Sequence, residues 1–129
     1  MVSFGGVIVH RGKLVLIVDD HEVIRNTLRS RFEFEGFQVS VAENGAEGVA
    51  KAEALKPDLI IMDLAMPVMN GLDAAKALRI RMPTIPIVMF TNMASPILEE
   101  QNRKAGITAL FSKEDGSCKL IEKAKELLN

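Results

Sequence analysis

The chain has 129 residues, 48% of them apolar and 26% charged, with a formal net charge of −1. That suits one domain with a continuous core and leaves no basic footprint for direct nucleic-acid binding. A single cysteine, Cys118, excludes an internal disulfide framework and fits a reducing cytosol, and no apolar run approaches the ~20 residues that cross a bilayer.

Residues 1–12 stand apart as an N-terminal appendage. No positive region precedes Val7-Ile8-Val9, so they lack the layout of a secretory signal, and a leader, an added remnant and an extra edge strand all remain open. From Lys13 onwards, apolar runs alternate with helical patterns. Leu14–Val18 is a β-branched run stopped by Asp19-Asp20. Ile24, Leu28 and Phe32 then recur at helical spacing as far as Gly36, a residue suited to the left-handed position after a helix. Phe37–Val41 reads as a second strand, and Asn44-Gly45 turns the chain into a helix carrying Ala46, Val49, Ala50 and Leu55. Lys56-Pro57 launches Leu59–Met62, an unbroken apolar run of the kind buried on both faces, and it ends on Asp63.

A loop marked by Pro67 and Gly71 leads into a helix over 72–81 with Leu72, Ala75 and Leu78 on one side. Pro83 and Pro86 flank the turn into Ile87–Phe90, a fourth buried strand that ends at Thr91. Ser95-Pro96 is an N-cap with proline at the first helical position, opening a helix that ends near Gly106. Thr108–Phe111 is a short fifth strand ending at Ser112-Lys113. The last helix, 117–128, carries a stripe of Leu120, Ile121, Ala124, Leu127 and Leu128. Five strand–helix units in strict alternation specify an α/β domain over 13–129. It is a doubly wound five-stranded parallel sheet with helices on both faces, for which the flavodoxin-like order 2-1-3-4-5 is the natural one.

In an open α/β sheet, ligands bind beyond the carboxyl ends of the strands. Alone, Asp63 would read as a turn former or helix cap. The other strand ends change that reading, because Asp19-Asp20, Thr91 and Lys113 come to the same rim in this order. Three carboxylates packed together repel one another, and Lys113 supplies one positive charge, so the group calls for a cation. Oxygen-only ligands suit Mg²⁺, with Thr91 offering a hydroxyl to an incoming anion. A carboxylate nucleophile attacking phosphorus needs such a setting.

The pair Asp19-Asp20, the string Asp63-Leu64-Ala65-Met66-Pro67-Val68-Met69-Asn70-Gly71, and Phe90-Thr91 with Ser112-Lys113 resemble the receiver domain of two-component response regulators, over essentially the whole chain. The resemblance implies that Asp63 accepts a phosphoryl group from the phosphohistidine of a sensor histidine kinase or a phosphotransfer protein. It also implies that Asp20 binds Mg²⁺ directly and Asp19 largely through water, and that the Ala65 carbonyl completes the protein ligands. Thr91 and Lys113 would contact the phosphoryl oxygens. A population shift in the last two strand–helix units would be read by a downstream protein in the cytoplasm, without membrane or nucleic-acid contact by this domain. The resemblance further implies a phosphoacceptor signalling domain, rather than an enzyme, that promotes its own phosphorylation and dephosphorylation.

The chain departs from the family pattern in several places. Leu110 stands where an aromatic is usual, with Phe111 pointing to the opposite face. Glu114 replaces the usual proline after the lysine and so predicts a trans bond. Asn92 replaces a very small residue and could narrow the mouth of the site. Ala65 and Met93 stand where the resemblance places side chains bordering the attacking water, and neither can orient it by a strong hydrogen bond, which predicts a long-lived phosphoryl group. His21 and most of the seven methionines take ordinary structural readings, while Glu22 could extend the acidic rim. The charged run from Glu99 to Lys104 reads equally as a solvated helix side and a partner surface.

A flavodoxin-like nucleotide binder would need a phosphate loop where Asp19-Asp20 stand. A dehalogenase-type phosphatase would need an aspartate at Ala65, and no P-loop motif occurs. The remaining alternative is a receiver-fold interaction module that works without phosphorylation. The final helix ends next to Asn129, which suits either a stand-alone regulator or a receiver belonging to a longer protein.

Overall fold

The computed structural model describes residues 12–92 and 95–129, together with the backbone of 2–4 and 7–9. The elements are β1 (Val2–Phe4), β2 (Val7–Val9), β3 (Leu14–Val18), α1 (Glu22–Phe34), β4 (Gln38–Ala42), α2 (Gly45–Leu55), β5 (Leu59–Met62), α3 (Gly71–Arg81), β6 (Ile87–Thr91), α4 (Pro96–Lys104), β7 (Ala109–Ser112) and α5 (Cys118–Leu128). A single 3-10 turn, Lys113–Asp115, joins β7 to α5.

β1 and β2 pair with each other in antiparallel fashion, Val2 opposite Val9, and form a ribbon separate from the main sheet. The main sheet is entirely parallel, in the order β4-β3-β5-β6-β7. Counted from Leu14, this is the expected 2-1-3-4-5.

Alternation along the strands divides the interior in two. Val15, Ile17, Leu59, Ile61, Val88 and Phe90 point to the face covered by Leu28 and Phe32 of α1 and by Leu120, Ile121 and Ala124 of α5. Leu16, Val18, Ile60, Met62, Ile87 and Met89 point to the face covered by Val49 and Ala52 of α2 and by Ala74, Ala75 and Leu78 of α3. Phe37 lies just before β4 rather than within it. It is buried, with its ring edge-on to Phe32 at 5.7 Å between centroids.

The apolar face expected for the second helix is corrected. In α2, Gly45, Gly48, Val49 and Ala52 are buried, while Ala50 and Leu55 are exposed. The reason is close approach. A Cβ on Gly48 would come within 2.9 Å of the Val18 side chain, and one on Gly45 within 2.4 Å of the Met69 carbonyl oxygen. Burial there is carried by glycines, which a count of apolar residues passes over. Cys118 is exposed at the start of α5.

Three of the helix starts are capped by side chains: Asn44 accepts from the Glu47 N–H, Asn70 from the Asp73 N–H, and Ser95, the N-cap read from the sequence, from the Leu98 N–H. Asp58 sits just ahead of β5, where its carboxylate accepts from the Leu14 N–H at 2.8 Å and fastens the start of β3.

Candidate functional site

The parallel ladders carry the candidate residues to one edge. Val18 pairs with Met62, so Asp19 and Asp63 emerge side by side, and the Asp63 N–H still donates to the Val18 carbonyl at 2.9 Å. Thr91 pairs with Ser112, so Lys113 emerges one strand beyond it. Asp19, Asp63 and Thr91 are all at least 96% buried.

Lys113 closes the group. Its Nζ lies 2.6 Å from Asp19 Oδ2 and 3.2 Å from Asp63 Oδ2. Asp63 Oδ1 accepts from the Leu64 N–H at 2.8 Å, which fixes the carboxylate plane. Burial, and then the neighbouring Asp19 charge, push the Asp63 carboxyl above its usual range, while Lys113 and the Leu64 N–H pull against them. Asp19 is held from below as well: Arg25 Nη1 donates to its carbonyl at 2.8 Å, and the His21 N–H donates to its Oδ1 at 2.8 Å.

The loop after Asp63 is clamped at two points. The Gly71 N–H donates to the Leu64 carbonyl, and a Cβ at Gly71 would fall 2.1 Å from the Asp63 carbonyl oxygen. The Gly45 N–H donates to the Met69 carbonyl at 3.1 Å. Between them Val68 is held at φ 69°, a left-handed conformation that a β-branched residue adopts only under constraint.

Lys113 thus contacts both Asp19 and Asp63. Asp20 joins them through His21, whose Nδ1 is 3.1 Å from an oxygen of each aspartate of the pair. His21 is the N-cap of α1, in keeping with its ordinary reading, and these contacts were not read from the sequence. The signal was its place as the third ligand-capable residue in a row at a strand tip. Glu22 lies exposed in the first turn of α1, outside the group of possible metal ligands formed by Asp19, Asp20, His21 and Asp63. Ala65 and Asn92 are exposed near the rim, and Met93 falls outside the described residues. Leu110 packs against the core on the α2–α3 side and Phe111 against the α1–α5 side, the alternation expected of a strand. The bond from Lys113 to Glu114 is trans, and the Ser112 hydroxyl accepts from the Glu114 N–H.

A sequence model of the response regulator receiver domain matches residues 15–125. The chain belongs to that family. This receiver is 36% identical over 112 residues to the chemotaxis protein CheY of Thermotoga maritima, covering 86% of this chain and 93% of that one. It is 40% identical over 79 residues to the alkaline phosphatase synthesis transcriptional regulatory protein PhoP of Bacillus subtilis, covering 61% of this chain and 33% of PhoP. Among the curated relatives it matches, the receiver thus spans nearly all of CheY but only about a third of PhoP. The solved structure of the response regulator TrrA of Thermotoga maritima, in complex with Mg²⁺ and BeF, superimposes with a TM-score of 0.82 at 30% identity, covering 89% of this chain and 98% of that one. Among the described residues, no helix is long and apolar enough to cross a membrane.

Proposed function

We propose that this receiver, residues 13–129, accepts a phosphoryl group on Asp63 from the phosphohistidine of a sensor histidine kinase or phosphotransfer protein. The observation that carries the proposal is the pairing of one buried ammonium, Lys113, with both Asp19 and Asp63 at adjoining strand ends. A carboxylate oxygen of Asp63 forms the new P–O bond as the P–N bond to the donor histidine breaks, and the electron pair leaves with the imidazole. The raised proton affinity of Asp63 makes its oxygen a better nucleophile than an ordinary surface carboxylate. Lys113, released from part of its carboxylate pairing, meets the incoming phosphoryl oxygens, and the Thr91 hydroxyl sits one strand away to do the same.

Three carboxylates face one ammonium, so the donor set fits a hard divalent cation. Asp19, Asp20, Asp63 and the Ala65 carbonyl would hold Mg²⁺, which when bound offsets the negative charge on carboxylate and phosphoryl oxygens. The complex of TrrA with Mg²⁺ and BeF supports this assignment. Phosphorylation then shifts a population within the last two strand–helix units, β6–α4 and β7–α5, which a downstream protein reads in the cytoplasm. Residues 1–12 lie outside this machinery as an appendage.

Intact-mass spectrometry after incubation with acetyl phosphate and Mg²⁺ tests the reading. One phosphoryl adduct is expected on the wild type, none on Asp63→Asn and none with chelator. No adduct from acetyl phosphate or from a cognate kinase would overturn it. A phosphorylation-independent interaction module would then stand in its place, a reading that Leu110 in the usual aromatic position favours.

A further inference from the structure

Lys113 and His21 approach the acidic group through different oxygens. Lys113 takes the Oδ2 atoms of Asp19 and Asp63, whereas His21 Nδ1 lies 3.1 Å from Asp19 Oδ1 and 3.1 Å from Asp20 Oδ1. Both are hydrogen-bonding distances, and they place the imidazole nitrogen beside an oxygen of each aspartate at the edge of the same donor set. One ligand atom from each of Asp19, Asp20, His21 and Asp63 falls within 4.8 Å of the others, close enough for the four to share a single ion. Asp19, whose backbone is fixed by Arg25, is the rigid side of this arrangement, and the more exposed His21 ring is the adjustable one.

We propose that His21 is a metal ligand of this pocket, its Nδ1 joining the three carboxylates and tilting the site from an all-oxygen preference for Mg²⁺ toward Mn²⁺ and Zn²⁺. Imidazole is a borderline donor that suits first-row transition ions, while Mg²⁺ gains little from exchanging a water for nitrogen. This deepens the receiver reading by assigning the selectivity of the same pocket. It predicts that Zn²⁺ displaces Mg²⁺ and slows phosphoryl acceptance.

The direct test is pulsed electron paramagnetic resonance on the whole chain loaded with Mn²⁺ alone, at one fixed pH, in wild type, His21→Ala and Asp20→Asn. Nitrogen modulation is expected in the wild type and absent in His21→Ala. Equilibrium dialysis should show the Zn²⁺/Mg²⁺ affinity ratio falling at least tenfold in His21→Ala, with Mg²⁺ affinity unchanged within about twofold. Asp20→Asn should weaken both ions, which separates this pocket from any zinc held elsewhere, for instance at Cys118. Absence of nitrogen modulation in the wild type, or an unchanged ratio in His21→Ala, would overturn the proposal. If modulation is present but Asp63 takes no phosphoryl group, the metal site stands and the phosphoacceptor reading alone fails.

Discussion

The middle of the parallel sheet and its β7 edge are built to different standards. β3 beyond its first residue, all of β5 and all of β6 are buried, and their tips hold Asp19, Asp63 and Thr91. At that edge every residue of β7 is half-buried, and β4 at the opposite edge buries only Ala42. α4 buries a single residue, Asn102, and neither amide atom of its side chain has a hydrogen-bond partner. Ile97, an apolar residue of α4, is largely exposed. By contrast α5 seats four apolar side chains on the core. The proposed chemistry thus draws on Asp19, Asp63 and Thr91 where packing fixes atoms and on Lys113 at the end of the half-buried strand, and the segment proposed to respond is docked through an unpaired amide. A loosely docked helix on a rigid sheet is a bistable element that a charge change at the site can bias.

Truncation of equal size should separate the two regions most strongly. Ile61→Ala removes a side chain that is 1% exposed and should cost about 2–5 kcal/mol in chemical denaturation. Leu98→Ala in α4 should cost under about 1 kcal/mol. Equal losses would show that α4 is as firmly seated as the central strands.

Next in size is Asn102→Leu, which keeps the heavy-atom shape of the side chain and removes two buried unpaired polar atoms. It should stabilise the domain by about 1–2 kcal/mol and slow amide exchange in α4. A destabilised variant would show that the amide is satisfied in solution.

Asp63 itself supplies the functional counterpart of this strain. Its raised pKa means that the folded state holds the proton more tightly than the unfolded chain, so stability falls as pH rises from the ordinary value of 3.8 through the raised one. In chelator, Asp63→Asn should raise Tm near neutral pH by roughly 2–6 °C, and the gain should vanish below about pH 4. An equal Tm at every pH would mean that Lys113 already offsets the burial.

The smallest expected effect is at Val68. Val68→Gly relieves a left-handed β-branched residue but adds chain entropy, for a net gain of about 1 kcal/mol by thermal denaturation. A loss of stability would mean that the Val68 side chain contributes contacts outweighing its backbone strain.

The same contrast explains what was legible in the sequence. β5 and β6 announce themselves because burial on both faces leaves an unbroken apolar run, and a parallel sheet then dictates that the residues after the runs share a rim. Asp19, Asp63 and Lys113 followed from that alone, and the string from Asp63 to Gly71 made the family plain. α2 was misread because Gly45 and Gly48 are buried for their lack of a side chain, which leaves no periodic signal. Asn102 was illegible for the opposite reason, since nothing in a polar helix marks which amide will face inward. His21 sat in view beside the acidic pair, but a side chain's reach across two carboxylates is a matter of rotamer, which spacing does not encode.

Hydrogen–deuterium exchange on one preparation, with and without the phosphoryl group on Asp63, tests the central claim most directly. The account predicts changed protection in α4 and β7, with β3 and β5 unchanged within error. No change in α4 and β7 on fully phosphorylated protein, or a change of equal size in β3 and β5, would contradict it.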